Sequence, residues 1–233
     1  MSEIDAVLLD VGGVLLLPDH ERTAAALARA GFDADRGRLD RAHYAGVSAL
    51  TAFTEGDREV WAAFNRAYAR EIGVPDDALE DAVEHLLNEF ATGAVWSRVV
   101  PGAVEALRGL GALGVRLAIV SNADGEAEAR LLEHRICQVG AGPGVEVDTV
   151  VDSQVVGVAK PDPKIFEIAL ERVGVAADRA IHVGDTPGAD VDGAHAAGVR
   201  PVLIDPYDFH SGRDVVRVRS LAEVVDHVAR ANR

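Results

Sequence analysis

The chain has a single cysteine, Cys137, among its 233 residues, so no intramolecular disulfide can form. That scarcity points to a reducing compartment, and cytoplasm is the expected location. Positive charge is also short: 23 Lys and Arg face 38 Asp and Glu, a formal charge of −15 with a pI near 4.9. Nucleic-acid backbones and anionic lipid surfaces are gripped by clustered Lys and Arg. The sequence has no such cluster, so neither nucleic acid nor membrane is an expected partner. Long apolar runs are missing too. The longest, Val11 to Leu17, is seven residues with two glycines, against roughly 20 needed to span a bilayer. The N-terminus, Met1-Ser2-Glu3-Ile4-Asp5, carries acids where a secretory signal carries Lys or Arg.

What is present is an ordinary globular composition, 48% apolar and 26% charged, sized for one large domain or a domain carrying an insert. Ala6-Val7-Leu8-Leu9 is a short apolar run that stops at Asp10 and then Gly12-Gly13, which reads as a buried parallel strand ending in a loop. The pattern recurs at Val115 to Val120, ending at Ser121-Asn122, at Ala180 to Val183, ending at Gly184-Asp185, and at Val199 to Ile204, ending at Asp205. Helices are predicted over Gly102 to Leu113, Glu126 to Ile136, Pro163 to Val173, Asp190 to Ala197 and Leu221 to Ala231. Alternating strands and helices make this an α/β fold with a doubly wound parallel sheet, and its site is expected beyond the carboxyl ends of the strands.

Residues 18–94 break that rhythm. They predict helices over Asp19 to Ala30, Asp35 to Phe53, Asp57 to Ile72 and Asp76 to Ala91, with Asp19, Asp57 and Asp76 as N-caps and Gly31, Gly56 and Gly73 as breaks. The expected division is an α/β core of residues 1–17 and 95–233 with an inserted all-α helical cap of residues 18–94. Gly140 to Gly144 reads as a surface loop.

Four polar groups fall at strand ends or in loops beside them. Asp10 and Asp185 would converge on one crevice and repel each other unless a cation lay between them. Oxygen-only ligands favour Mg²⁺. Asp190, five residues after Asp185, reads alone as an N-cap. Ser121-Asn122 offers a hydroxyl, an amide and free N–H groups at a helix N-terminus, an anion site or a plain cap. Lys160 is held extended by Pro161. Carboxylate, hydroxyl, lysine and acid pair in that order make a phosphoryl-transfer site.

These segments, Asp10-Val11-Gly12-Gly13-Val14-Leu15, Ser121-Asn122, Lys160-Pro161 and Gly184-Asp185 with Asp190, resemble the four motifs of the haloacid dehalogenase superfamily, over nearly the whole chain. The resemblance implies a Rossmannoid core with a helical cap and a phosphatase that hydrolyses a small phosphorylated metabolite, as monomer or homodimer. It implies Asp10 as the nucleophile of an aspartyl-phosphate intermediate, with Ser121 and Lys160 holding the phosphoryl oxygens. Mg²⁺ would be held by Asp10, Asp185 and the backbone carbonyl of Gly12, with Asp190 near the metal or orienting Lys160. Gly12, Gly13 and Asn122 would contribute phosphate-binding backbone.

One position departs from the pattern. Phosphatases of this superfamily typically carry a second Asp two residues after the nucleophile as the acid and base, and here that residue is Gly12. Such a group is typically worth about 10²–10⁴ in rate. Asp19, His20, His43 and Tyr44 are candidate substitutes, each expected as a solvated surface residue. Two other functions are open: a metal-free haloacid dehalogenase, with Arg41 as its cap arginine, and a catalytically silent phosphate-binding or regulatory module. Trp61, Phe64 and Tyr68 recur at helical spacing, which reads as core packing.

Overall fold

The computed structural model describes residues 3–50 and 58–233. The expected Gly56 break, the Asp57 cap and the helix end at Phe53 lie outside them. At the centre is a six-stranded parallel sheet. In spatial order its strands are Val216–Val218 (β10), Arg200–Ile204 (β9), Ala180–Gly184 (β8), Ala6–Leu9 (β1), Arg116–Ser121 (β4) and Thr149–Asp152 (β7). The order reverses direction at β1, so the switch point lies between β1 and its neighbours, where open sheets of this kind form crevices.

Strand β1 is apolar throughout because both its faces are covered. Val7 and Leu9 join Leu117, Ile119, Ile181 and Val183 in a core packed by Ala103–Ala112 (α5) and Leu221–Ala231 (α10). Ala6 and Leu8 point the other way, against Ile165, Phe166 and Ala169 of Pro163–Val173 (α8). Each fully buried Val or Leu contributes about 1.5–3 kcal/mol of burial, so a four-residue strand suffices as the sheet's axis. Helix α8 spans the residues that its signals predict. Asp162 accepts from the Lys164 amide, Pro163 occupies the first turn and Gly174 ends the helix in the left-handed region.

The chain leaves the core through Leu16–Pro18 (β2) and returns through Trp96–Val99 (β3), which pair antiparallel. Between them lie His20–Arg29 (α1), Leu39–Ser48 (α2), Arg58–Ile72 (α3) and Leu79–Phe90 (α4), with no strand among the described residues. These helices share a separate apolar cluster that includes Leu27, Phe64, Tyr68 and Leu86.

Several elements differ from expectation. Asp35 caps a 3-10 turn over Arg36–Arg38, and α2 starts only at Leu39. Asp76 caps nothing: α4 begins after Ala78, and Asp76 contributes only a backbone carbonyl to the turn before it. The helix expected to Ile136 is Ala127–Glu133 (α6), because Arg135 turns left-handed and redirects the chain into Cys137–Val139 (β5). Gly140 to Gly144 then links β5 to Val145–Val147 (β6). The remaining helices are the short Ser153–Val156 (α7) and Gly193–Ala196 (α9). No described helix is long and apolar enough to cross a membrane.

Cys137 is fully buried, and burial pushes its thiol up to about 12. A thiol reagent at pH 8 is expected to leave the folded protein unlabelled over an hour and to modify one group per chain in denaturant. Rapid labelling of the native protein would contradict this packing.

Candidate active site

Pairing in the sheet sets Leu9 level with Ile119 on one side and Val183 on the other. Asp10, Ser121 and Asp185 therefore leave three adjacent strands at nearly the same height. Lys160 reaches the same point from the loop before α8. Its Nζ lies 2.7 Å from Asp10 Oδ1 and 2.7 Å from Asp190 Oδ1. One carboxylate oxygen from each of Asp10, Asp185 and Asp190 lies within 4.8 Å of the other two, and all three residues are buried.

Asp190 does not cap a helix, as its sequence position suggests. It sits in a wide π-helical turn, Pro187–Asp192, that places its carboxylate back under strand β8. Oδ2 accepts from the Thr186 amide at 2.9 Å, while Oδ1 faces His182 Nε2 at 2.9 Å as well as Lys160. Asn122 also differs from expectation. The helix after it starts only at Ala127, and the amides of Gly125 and Ala127 are held by the Asp152 carboxylate. The Asn122 side chain clamps the Lys160 backbone instead, accepting from its N–H at 2.7 Å and donating to its C=O at 2.9 Å.

Electrostatics follow from this packing. Burial, reinforced by repulsion from Asp190 and Asp185 and opposed by Lys160, pushes Asp10 up to about 7. Burial disfavours the Lys160 ammonium, yet Asp10 and Asp190 more than offset it and hold its pKa above the usual lysine range. Burial likewise opposes ionised Asp190, but Lys160 and His182 outweigh it and hold that carboxyl below the usual range. One ammonium among three buried carboxylates leaves the cluster short of positive charge. With oxygen-only donors, these residues fit a hard divalent cation such as Mg²⁺.

His43 and Tyr44, expected on the surface, are buried. Helix α2 is covered on both sides, by the insert's own cluster through Ala42 and Val47 and by the core through these two rings. His43 Nε2 lies 2.7 Å from Asp185 Oδ2, and the Tyr44 hydroxyl donates to the Gly13 carbonyl at 2.7 Å. Asp19 caps α1, donors being the Arg22 amide, and His20 pairs with Asp40 at 2.7 Å. Arg41 pairs with Glu71 at 2.8 Å and lies over the rings of Tyr207 and Phe209.

A cavity of about 640 Å³ opens above the cluster. Asp10, Gly12, Ser121, Asn122, Lys160, Asp185 and Asp190 line its floor. Gly13, Asp19, His20, Arg41 and Tyr44 are not among its lining residues. Its other wall comes from the insert, including His43, Trp61 and Phe64, with Trp96 of β3. Trp61 and Phe64 thus combine packing with a face toward the cavity, whereas Tyr68 is core alone. Sequence reasoning passed over His182 and Thr186. A lone histidine inside the apolar run Ala-Ile-His-Val-Gly was the available signal for the first; nothing marked the second.

Sheet, switch-point crevice and acidic cluster define a parallel α/β protein of the hydrolase type. A family model described as haloacid dehalogenase-like hydrolase matches residues 4–198, and the chain belongs to that family. The haloacid dehalogenase-like hydrolase domain-containing protein 3 of Mus musculus is 34% identical over 163 residues, covering 68% of this chain and 61% of its own length. Phosphoserine phosphatase of Thermus thermophilus is 35% identical over 183 residues, 77% of this chain and 68% of that protein. The magnesium-bound HAD hydrolase YfnB of Bacillus subtilis superposes with a TM-score of 0.60 at 22% identity, covering 98% of this chain and 100% of that one, which shows the fold alone.

The two glycines after Asp10 are not equivalent. A Cβ at Gly12 would meet only the Trp96 ring, at 3.5 Å, an ordinary contact. Gly13 has φ 65°, and a Cβ there would overlap the Asp185 carboxylate and lie 2.8 Å from His43 Nε2. Gly13→Ala is expected to cost about 1–3 kcal/mol from backbone conformation alone and to lower Tm by several degrees. Gly12→Ala is expected to leave Tm within about 2 °C of the parent. Differential scanning calorimetry of both variants checks the pair, and equal Tm values would contradict the asymmetry.

Proposed function

We propose that the protein is a Mg²⁺-dependent phosphomonoesterase that hydrolyses a small phosphorylated metabolite through an aspartyl-phosphate on Asp10. In this reading residues 1–17 and 95–233 form the catalytic core, residues 18–94 act as its cap, and the enzyme works in the cytoplasm. The observation that carries the proposal is Lys160 held between Asp10 and Asp190 on the floor of a cavity that three buried carboxylates share. The phosphatase named among the relatives supports the same reaction class.

Each role follows from position. Asp10 attacks phosphorus in line, and splitting hydrolysis at a carboxylate nucleophile replaces one hard step by two easier ones. Lys160 and the Ser121 hydroxyl hold equatorial phosphoryl oxygens, whose charge must be neutralised for transfer. Asp190, fixed by His182 and Thr186, keeps the Lys160 ammonium aimed at Asp10, and Asn122 fixes its backbone. Backbone groups of Gly12, Gly13 and Asn122 contribute the remaining phosphate contacts. Bound Mg²⁺, held by Asp10, Asp185, the Gly12 carbonyl and Asp190, would supply charge neutralisation and favour ionised Asp10. Metal-free dehalogenation fits less well: the three acids could together hold a metal ion, and Arg41 lies on Glu71, Tyr207 and Phe209 rather than on the cavity wall.

Phosphate release from phenyl phosphate is expected to require Mg²⁺, to stop in EDTA and to return when Mg²⁺ is added in excess. Asp10→Asn is expected to lower kcat by at least about 10⁴-fold, the scale of losing a nucleophile, with unchanged circular dichroism. Full activity of that variant would overturn the mechanism. Chloride release from 2-chloropropionate in EDTA would support the dehalogenase reading instead.

Gly12→Asp is sterically compatible at Cβ and restores a carboxyl two residues from the nucleophile. It is expected to raise kcat/KM on alkyl phosphates by about 10-fold or more and on aryl phosphates much less, because only poor leaving groups need the proton in the step that forms the aspartyl-phosphate. Equal change on both classes would count against this account of Gly12.

A further inference from the structure

The cavity has an uneven character: charged on its floor, apolar and aromatic on its roof. Val47, Leu50, Trp61, Phe64, Leu87 and Trp96 line the side formed by the insert and β3, together with the polar Arg58 and Asn88. Cations that could meet a second acidic group on a substrate are already partnered. Among the described residues, Arg58 and Arg130 are the lining cations besides Lys160. Arg58 Nη2 lies 2.5 Å from Glu84 Oε2, and Arg130 Nη2 lies 3.1 Å from Asp124 Oδ2. The undescribed residues 51–57 contain no Lys or Arg. A carboxylate on the leaving group would gain a counter-charge only by displacing Glu84 or Asp124 from these pairs, and would otherwise lose its hydration against the apolar lining.

Proton supply points the same way. Gly12 provides no acid. His43 Nε2 faces the Asp185 carboxylate at 2.7 Å, and its Nδ1 has no hydrogen-bond partner. Tyr44 donates its proton to the Gly13 carbonyl. Gly12 and Tyr44, which does not line the cavity, therefore present no donor to a departing oxygen.

Resting on the phosphatase reading above, we propose that the substrate class is the monophosphate ester of an aromatic hydroxyl on a small molecule, its ring seated among Trp61, Phe64 and Trp96. An Asp10 oxygen bonds to phosphorus as the phosphorus–oxygen bond to the ring breaks. The electron pair leaves on a phenolate, whose conjugate acid has a pKa near 10, as for the tyrosine side chain, and which departs without a proton. Water then attacks the aspartyl-phosphate at phosphorus. Inorganic phosphate leaves, the Asp10 carboxylate is restored and the water's proton passes to solvent. The aromatic roof supplies binding through burial and ring stacking.

Trp61 and Trp96 are the chain's two tryptophans and both line the cavity, so intrinsic fluorescence reports its occupancy independently of turnover. With Mg²⁺ present, titration with inorganic phosphate, phenylphosphonate and 2-naphthylphosphonate is expected to give Kd values that fall in that order, by about 10-fold or more from first to last. In parallel, kcat/KM for phenyl and 2-naphthyl phosphate is expected to exceed that for phosphoserine, phosphoglycolate and cyclohexylmethyl phosphate by about 100-fold or more. The last ester is apolar with a poor leaving group, and so separates fit from proton demand. Trp61→Ala is expected to reduce the naphthyl-over-phosphoserine ratio by about 10-fold.

Hydrolysis of all these esters at similar rates, or equal affinity for the three anions, would overturn the aryl assignment while leaving the phosphatase reading intact. Tight, tryptophan-reported binding of 2-naphthylphosphonate with no hydrolysis of any ester, acetyl phosphate included, would do the reverse. It would sustain the ligand class and sink the phosphatase reading.

Discussion

The architecture of the site depends on one buried ammonium. Lys160 stands 2.7 Å from both Asp10 and Asp190 and is itself buried. Without it three acids would crowd a low-dielectric space in which like charges strongly disfavour ionisation. Much of the surrounding structure exists to keep that ammonium in position. Asn122 grips its backbone from strand β4, and Asp190 is braced by His182 from strand β8 and by the Thr186 amide. The wide turn at Pro187–Asp192 is what lets a residue five places after Asp185 fold back to share its pocket. An ordinary helical start at Asp190 would direct the carboxylate to the next turn's amides.

A second constraint joins the inserted helices to this cluster. Gly13 brings the loop after β1 so close to Asp185 that any side chain would collide. Helix α2 exploits the same proximity, with His43 on Asp185 and Tyr44 on the Gly13 carbonyl, while Arg41 of that helix stacks on Tyr207 and Phe209 of the loop after β9. These contacts put the insert's aromatic face over the strand ends. The cavity is thus a property of two separately packed units meeting, since its floor belongs to the sheet and its roof to the helices.

The legibility of these features in sequence tracks how they are buried. Strands β1, β4, β8 and β9 read as largely apolar runs, with only Arg116, His182 and Arg200 breaking the pattern, and the acids and Ser121 at their ends could be placed from the sequence. Strand β7 is Thr-Val-Val-Asp at the sheet's edge and β10 is three residues long; neither has enough apolar contrast to stand out from a loop. Asp19 caps α1 as expected, and Asp162 caps α8, because capping is local chemistry. Asp190 and Asn122 behave otherwise because Lys160, which both hold, comes from a distant segment, and Asp76 does not cap because α4 begins only after Ala78. His43 and Tyr44 show the same limit. A helix buried on two opposite sides has no polar face left to give a period, so its functional side chains were expected in solvent.

Gly12 ties the chemistry to the shape of the cavity. An acid at this position would let the site expel alkoxides, which need a proton on departure, and would make the nature of the leaving group secondary. In the proposed reaction its absence places the burden on the ester itself: the oxygen must be stable as an anion, and the carrier of that oxygen must find favourable contacts in the space provided. Both requirements describe the same kind of molecule, because delocalisation into a ring lowers the pKa of a hydroxyl and the ring is also what an aromatic, cation-poor roof accommodates. The open position and the roof are far apart in the chain, yet a single ligand chemistry satisfies both. That agreement between reactivity and recognition, rather than either feature alone, gives the assignment its force.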